Sequence, residues 1–410
     1  MNRHKYGWIE SMQNDSAVYI KAVGDLCPGD FSVDGFGVGS LTKRKGCDYP
    51  FKSLDGALDG ADILIANLEG VLSARCHNEY LSFGGLPEMA AALRAAGFGI
   101  ITLANNHAFE HGAEVLEETI YYCKKAGLKI CGLRDQGQYY CEPVVIEKKG
   151  VSLGILAYNW VGLWDQVEID KYLATISDGL VNYTWDRDRE KDRLARQLIQ
   201  EKNEYVIQDV KRLKNEVDGV ILLPHWGYEW TPYPPYGVTL EARSFIDAGV
   251  DLIIGSHPHV AQGIEVYRDK IIAYSLGNFL FDPEPEKKFH GMVFECVMEK
   301  DRIVKYNYFA IASDDRCQPE RPGAAEQKKF KQKIELSASA IISASAEIEL
   351  DDDLIYKEFE KSYNRRKVKK IKYLFVAMLK HPSMIKSVFR KVINLLELIF
   401  RRLQGQRVRW

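Results

Sequence analysis

Apolar runs and polar stops alternate along most of the chain. Residues 17–24 (AVYIKAVG) and 62–67 (DILIAN) are short and apolar at nearly every position, the pattern of strands covered on both faces. Residues 87–97 (PEMAAALRAAG) read as a helix opened by proline and closed by glycine. Residues 112–127 (GAEVLEETIYYCKKAG) read as another, with acids early and lysines late to complement the helix dipole. Further strands are expected at 98–107 (FGIITLANNH), 128–132 (LKICG), 218–227 (DGVILLPHWG), 251–259 (DLIIGSHPH) and 270–281 (KIIAYSLGNFLF), and two more within 291–312. Residues 143–158 (PVVIEKKGVSLGILAY) form two β-rich runs around a Lys-Lys-Gly turn, the pattern of a hairpin. Helical, charged stretches cover 186–216 and the neighbourhood of 239–248. Strand–helix alternation of this kind defines an α/β fold. Residues 159–185, rich in Trp, Tyr and Asp, break the pattern and read as an insertion or a lid.

From about residue 320 the pattern changes again, to a charged helical stretch followed by apolar positions at helical spacing with a basic polar side, interrupted at Pro382. The chain therefore divides into an α/β domain at 17–312 and a helical, basic amphipathic extension at 320–410. Charge sharpens that division. Residues 361–410 hold fifteen Lys and Arg against one acid, Glu397, whereas the preceding 360 residues hold 40 basic and 56 acidic side chains. A basic amphipathic helix suits the surface of an anionic membrane, here through residues 365–404. A solvated or core-packed extension is the plainer reading. Nucleic acid is not expected as a partner, because few aromatics interleave the charges. The first residues lack the apolar core of a secretory signal, and no run of about 18 apolar residues exists to span a bilayer. The eight cysteines form no C-x-x-C pair and read as free thiols of a reducing compartment. The expected location is cytoplasmic, with peripheral attachment to the inner face of the membrane through the extension.

The candidate chemistry lies where the apolar runs stop. In an open α/β sheet, ligands bind outside the carboxyl ends of the strands. Those ends carry Asp25, Asn67 and Glu69, Asn105-Asn106-His107, His225, His257 and His259, and Asn278. Each has a plainer reading. Gly24-Asp25 is a common turn, Asn67-Leu68-Glu69 can cap a helix, and His225 can be a hydrogen-bonded core histidine. Three polar side chains directly after an apolar strand, as at 105–107, cost free energy unless they find partners. In an extended segment, alternate residues face one side, so His257 and His259 are expected to share a cleft, with Pro258 stiffening the backbone. Carboxylate, amide oxygen and imidazole together suit divalent transition ions better than calcium, and the number of groups suggests two ions. A two-metal site points to hydrolysis or transfer at phosphorus.

In this order, Gly-Asp, Asn-Leu-Glu, Leu-Ala-Asn-Asn-His, His-Trp-Gly-x-Glu, Gly-x-His-Pro-His-Val and Tyr-Ser-Leu-Gly-Asn-Phe resemble the CapA family. These are bacterial capsule and poly-γ-glutamate synthesis proteins related to calcineurin-like metallophosphoesterases. The resemblance covers about 17–312 and implies a four-layer α/β/β/α sandwich with a dinuclear centre of manganese, iron or zinc. It implies metal ligation by Asp25, Glu69 (bridging), Asn106, His225, His257 and His259, and leaving-group protonation by His107. Asn67, Asn105, Glu110, Glu229 and Asn278 are implied as supporting or substrate-contacting residues. Two departures stand out. Cys27 replaces the histidine of an Asp-x-His motif and reads as a small buried thiol. Glu110, followed by His111, replaces an aspartate three residues after His107. The resemblance implies a metal-dependent phosphoesterase-type hydrolase or transferase serving exopolymer assembly, on an anionic polymer or phosphoester substrate. The alternatives are a metal-assisted enzyme acting on a peptide or γ-glutamyl substrate, and a non-catalytic scaffold of a capsule-assembly complex.

Overall fold

The computed structural model of the protein describes residues 16–30, 37–76, 83–161, 169, 171–176, 189–282, 291–313 and 316–344. The basic segment containing Pro382 and residues 365–404 lies outside the described residues, as does most of 159–185.

Two sheets face each other. The first is built on three parallel strands, β1 (Val18–Leu26), β2 (Ile63–Leu68) and β5 (Ile100–Thr102), with β6 (Lys129–Cys131) beyond them. A small ladder of β3 (Val71–Leu72) and β4 (Gly84–Gly85) lies between β2 and β5 in the chain. The second sheet pairs the hairpin β7 (Val144–Lys148) and β8 (Val151–Asn159) with β9 (Gly219–His225) and β10 (Leu252–Ile254), then β12 (Lys270–Ala273) and β11 (Ile264–Tyr267). The chain then returns to the first sheet. There β13 (Asn278–Leu280) pairs with β1, and β14 (Gly291–Glu299), β15 (Arg302–Ser313) and β16 (Pro319–Glu320) extend the edge antiparallel.

Strand alternation sets the layers. Ile63 and Ile65 of β2 meet Leu153 and Ile155 of β8 and Ile221 and Leu223 of β9 in one core between the sheets. The intervening Leu64, Ala66 and Leu68 face outward onto helices α1 (Val38–Lys45), α2 (Met89–Ala95) and α3 (Ala113–Lys125). On the far side, Val220, Leu222 and Ile253 pack under α4 (Arg189–Lys214) and α5 (Tyr236–Ala248). The result is a four-layer α/β/β/α sandwich whose central strands, such as β1, β2, β9 and β10, are covered on both faces, which is why they read as continuous apolar runs, while the outer strands β7, β11 and β15 keep exposed positions. Each fully buried aliphatic side chain contributes about 1.5–3 kcal/mol.

Two features differ from the pattern reading, and a third places the start of the extension. The run 270–281 is two strands in different sheets, β12 and β13, because Gly277 turns the chain with φ 67°. Helix α1 and strand β11 carry no strong periodicity and were not expected. The segment beyond 320 begins as α6 (Ala324–Ala344), whose Phe330 and Ile334 enter the inter-sheet core and whose Ser337 accepts a hydrogen bond from Gly263 N at 2.9 Å. This first part of the extension is thus packed into the α/β body. Among the described residues, no helix is long and apolar enough to cross a membrane.

Candidate metal centre

The carboxyl ends of the parallel strands of both sheets converge. Asp25 lies inside β1, where the ladder to β2 and β13 shifts register. Its backbone N–H donates to Gly277 O at 2.9 Å, an approach that needs Gly24: a Cβ there would lie 1.7 Å from the same oxygen. Glu69 follows β2, anchored by its N–H on Leu26 O at 2.9 Å. Gly70 next to it has φ 143° and leaves only 2.1 Å between a would-be Cβ and Phe83 O. That close turn brings Phe83 against His107, ring centroids 3.4 Å apart and 14° from parallel.

Amides hold the carboxylates. Asn67 Nδ2 donates to Asp25 Oδ1 at 2.8 Å, and Asn67 Oδ1 accepts from Asn105 Nδ2 at 3.0 Å. Asn105 Nδ2 also donates to Leu68 O at 2.9 Å, while Asn105 Oδ1 accepts from His107 N at 3.0 Å. Asn105 is therefore saturated inside the protein, which answers the cost of burying it. His107 Nδ1 donates to Glu110 Oε1 at 2.5 Å, so its Nε2 accepts from Asn106 Nδ2 at 3.1 Å. The Glu-for-Asp departure thus keeps its contact with the histidine.

The second sheet supplies imidazoles. His225 ends β9, with Nδ1 at 3.0 Å from Ser256 Oγ and 3.3 Å from Asn67 Nδ2, and with Nε2 at 2.8 Å from Asn106 Oδ1. His257 and His259 do meet in one cleft, ring centroids 5.7 Å apart, but not by strand alternation. Strand β10 stops at Ile254, and both histidines take left-handed backbone, φ 93° and 57°. Non-glycine residues hold such conformations only where their surroundings over-determine them. Here His257 N donates to Asp25 Oδ2 at 3.3 Å, and Trp230 N donates to Pro258 O at 2.7 Å.

Two groups of side chains place ligand atoms within 4.8 Å of one another: Glu69 with His225 and His257, and Asp25 with Glu69 and His259. Glu69 belongs to both. All five are buried, and both carboxylate oxygens of Glu69 and both ring nitrogens of His257 have no hydrogen-bond partner among the described residues. Burial, with the charges of Asp25, Glu229 and Glu110, pushes the Glu69 carboxyl well above its ordinary range. Burial likewise raises Asp25 to about 7, against the pull of Asn67 and of His257 N–H. It holds His257 down at about 3, and, with the neighbouring histidines, His225 well below its usual value. An unpartnered carboxylate among neutral imidazoles is unfavourable in isolation and suits a bound cation. The donor set, carboxylate with imidazole and amide oxygen, fits a divalent transition ion.

The structure therefore brings Asp25, Asn67, Glu69, Asn105, Asn106, His107, Glu110, His225, His257 and His259 together, with Asn278 on His259 Nδ1 at 2.9 Å. Glu229 stands at the rim, accepting from Trp230 Nε1 at 3.1 Å. Cys27 is buried, with its Sγ toward Gly29 O at 3.9 Å and its side chain among Phe83 and Phe281, a packing role. Sequence reasoning passed over Ser256, Trp230 and Phe83. Ser256 and Trp230 lie inside or beside the quoted motifs, whereas Phe83 reaches His107 only through the Gly70 turn.

Fold and donor set define an α/β sandwich with a carboxylate–histidine cleft at its sheet ends, whose groups suit a metal ion. The chain belongs to the family described as bacterial capsule synthesis protein PGA_cap, whose pattern matches residues 20–283. It is 29% identical over 251 residues to the capsule biosynthesis protein CapA of Bacillus anthracis, covering 60% of this chain and 56% of that one. It is 26% identical over 274 residues to the PGA biosynthesis protein CapA of Bacillus subtilis (strain 168), covering 66% and 64%. The matches thus span less than two thirds of either relative. A crystal structure of a hypothetical protein from Thermus thermophilus aligns with a TM-score of 0.40 at 16% identity, covering 72% of this chain and 99% of that one.

Proposed function

We propose that the protein is a metal-dependent phosphoesterase-type hydrolase or transferase serving assembly of a capsule or poly-γ-glutamate polymer. The observation that carries this reading is Glu69, a buried carboxylate with no hydrogen-bond partner among the described residues, shared by two groups of ligand atoms. Glu69, Asn106, His225 and His257 would hold one divalent ion, and Asp25, Glu69 and His259 another. When bound, such ions polarise an ester oxygen and lower the pKa of water to about 7.

The chain's own residues orient and move protons. Asn67 holds Asp25 and is itself held by Asn105, so the carboxylate keeps one orientation. In its imidazolium form His107 would carry a hydrogen on each ring nitrogen, the one on Nδ1 donated in a hydrogen bond to Glu110 and the one on Nε2 available for transfer. Giving the Nε2 proton to a leaving oxygen returns the neutral ring, which Asn106 Nδ2 then caps. Phe83 stacked on the ring limits its rotation. The polymer assignment is supported by family membership and by the relatives named for capsule and PGA biosynthesis. Those names also favour a second reading, in which the same donors act on a γ-glutamyl amide.

Protein purified without chelators is expected to hold two metal equivalents and to cleave bis(p-nitrophenyl) phosphate. His107→Asn should keep the metal and lower kcat by about 10²–10⁴. Cleavage of γ-glutamyl-p-nitroanilide instead would favour the amide reading. Full metal with no turnover of either compound would leave the scaffold. Residues 365–404 are proposed to attach to anionic membrane surfaces. Removing 365–410 should abolish sedimentation with phosphatidylglycerol vesicles, and unchanged sedimentation would remove that part of the proposal.

A further inference from the structure

We infer that Asn278 is a positioning residue with two working ends: its carbonyl oxygen sets the ring of His259, and its amide nitrogen presents a donor to an oxyanion bound at the same centre. The inference rests on the reading of the cleft as a metal centre.

Asn278 opens β13 directly opposite Asp25 in the parallel register. Its backbone is closely confined: a Cβ at Gly291 would lie 2.0 Å from Asn278 O. Its side chain is buried, the residue being 7% exposed. Oδ1 lies 2.9 Å from His259 Nδ1. An acceptor there requires the hydrogen on Nδ1 and leaves the lone pair on Nε2, which lies 3.7 Å from Glu69 Oε1. Trp230 stacks on the same ring at 4.9 Å and 22°, and Phe281 meets it edge-on at 5.2 Å. The ring is therefore fixed on its face, its edge and one nitrogen, and the remaining nitrogen faces the shared carboxylate. The reverse carboxamide orientation would place N–H groups against Nδ1 and force the ring hydrogen onto Nε2, the atom a cation needs free.

With Oδ1 committed to His259, Asn278 Nδ2 is buried and has no acceptor among the described residues. It sits on the same carboxamide, beside Asp25 and His259, whose Oδ2 and Nδ1 are 3.6 Å apart. A buried donor at the edge of a cation site matches an oxygen carried in by a ligand, either phosphate-type or carboxylate. Asp25, Glu69, Glu110 and Glu229 would repel that anion without the metals, so oxyanion binding is expected only in the metal-loaded protein.

The test uses the full chain, Mn(II) followed by electron paramagnetic resonance, and inorganic phosphate followed by calorimetry on the loaded protein. Asn278→Ala should weaken one Mn(II) equivalent about 10- to 100-fold and phosphate about tenfold. Asn278→Asp keeps the acceptor and loses the donor. It should hold Mn(II) within about threefold of the parent chain, yet fail to recover phosphate binding. Parent-like Mn(II) binding by Asn278→Ala, or parent-like phosphate binding by Asn278→Asp, overturns the inference while the metal-centre reading stands. If the parent chain takes up no Mn(II), both fall. Should Asn278→Ala fail to fold, Asn278→Asp decides alone: Mn(II) kept with phosphate lost supports the inference, and both kept overturns it.

Discussion

The two sheets bring different chemistry to the same cleft. The first contributes mostly anions and amides: Asp25 from β1, Asn67 and Glu69 from β2, and Asn105 and Asn106 beyond β5, with His107 its one imidazole among the described site residues. The second contributes neutral nitrogen: His225 from β9 and His257 and His259 beyond β10. The first side is cross-linked by amide hydrogen bonds, whereas His257 on the second has neither ring nitrogen partnered among the described residues. Among the described residues, the ligand sets that mix oxygen and nitrogen lie where the sheets meet, and burial acts on their halves in opposite directions. It raises the carboxyls and lowers the imidazoles.

The strongest way to break this contrast is at Glu69, the residue both groups share. Glu69→Gln should abolish both of the proposed metal equivalents. It should also raise the melting temperature of the metal-free protein above neutral pH, since a buried carboxylate without a partner is removed. His257→Ala should spare one equivalent and weaken the other at least about tenfold. Metal content by mass spectrometry and thermal melts separate the two outcomes.

Protons sharpen the comparison further. Folded Asp25 titrates at about 7 against an ordinary 3.8, so between those values the folded chain keeps a proton that the unfolded chain has released. Its contribution makes metal-free stability fall as pH rises from about 4 to 7. His257 titrates at about 3 against 6.5, so the unfolded chain holds the extra proton and stability rises with pH across that window. Denaturant melts of Asp25→Asn should therefore show a steeper rise with pH than the parent, and those of His257→Ala a shallower one. Metal binds the deprotonated forms of both, so affinity should decline as pH falls below about 7. The smallest effect is expected at Ser256, whose hydroxyl meets His225 Nδ1 at 3.0 Å. Ser256→Ala should weaken metal binding by about 1 kcal/mol, read by calorimetry.

The strands and the polar residues that end them were legible because burial on both faces makes the strands apolar throughout, so any polar side chain at their tips stands out. Asp25, Glu69 and His225 are of this kind. The convergence of His257 and His259 was legible, its cause was not: alternation along a strand is a local rule, whereas two left-handed histidines are held by contacts with Asp25 and Trp230 from elsewhere. Residues 270–281 misled for the same reason. Their apolar run is continuous, but Gly277 sends its halves to different sheets. Helix α6 could be recognised as a helix from its charged, helical stretch, while its docking through Phe330 and Ser337 depends on surfaces assembled from distant segments.

The pairing of Asp25 with Asn278 carries a consequence for the order of events during synthesis. The strand that completes this register leaves the ribosome only after every strand of the second sheet, and His257 and His259 appear only shortly earlier. The early strands leave Asp25 and Glu69 waiting through that interval without the imidazoles that share their cleft. If the cleft holds metal as proposed, uptake would be a late step in the life of a nascent chain, and a loaded centre would mark the closing of both sheets.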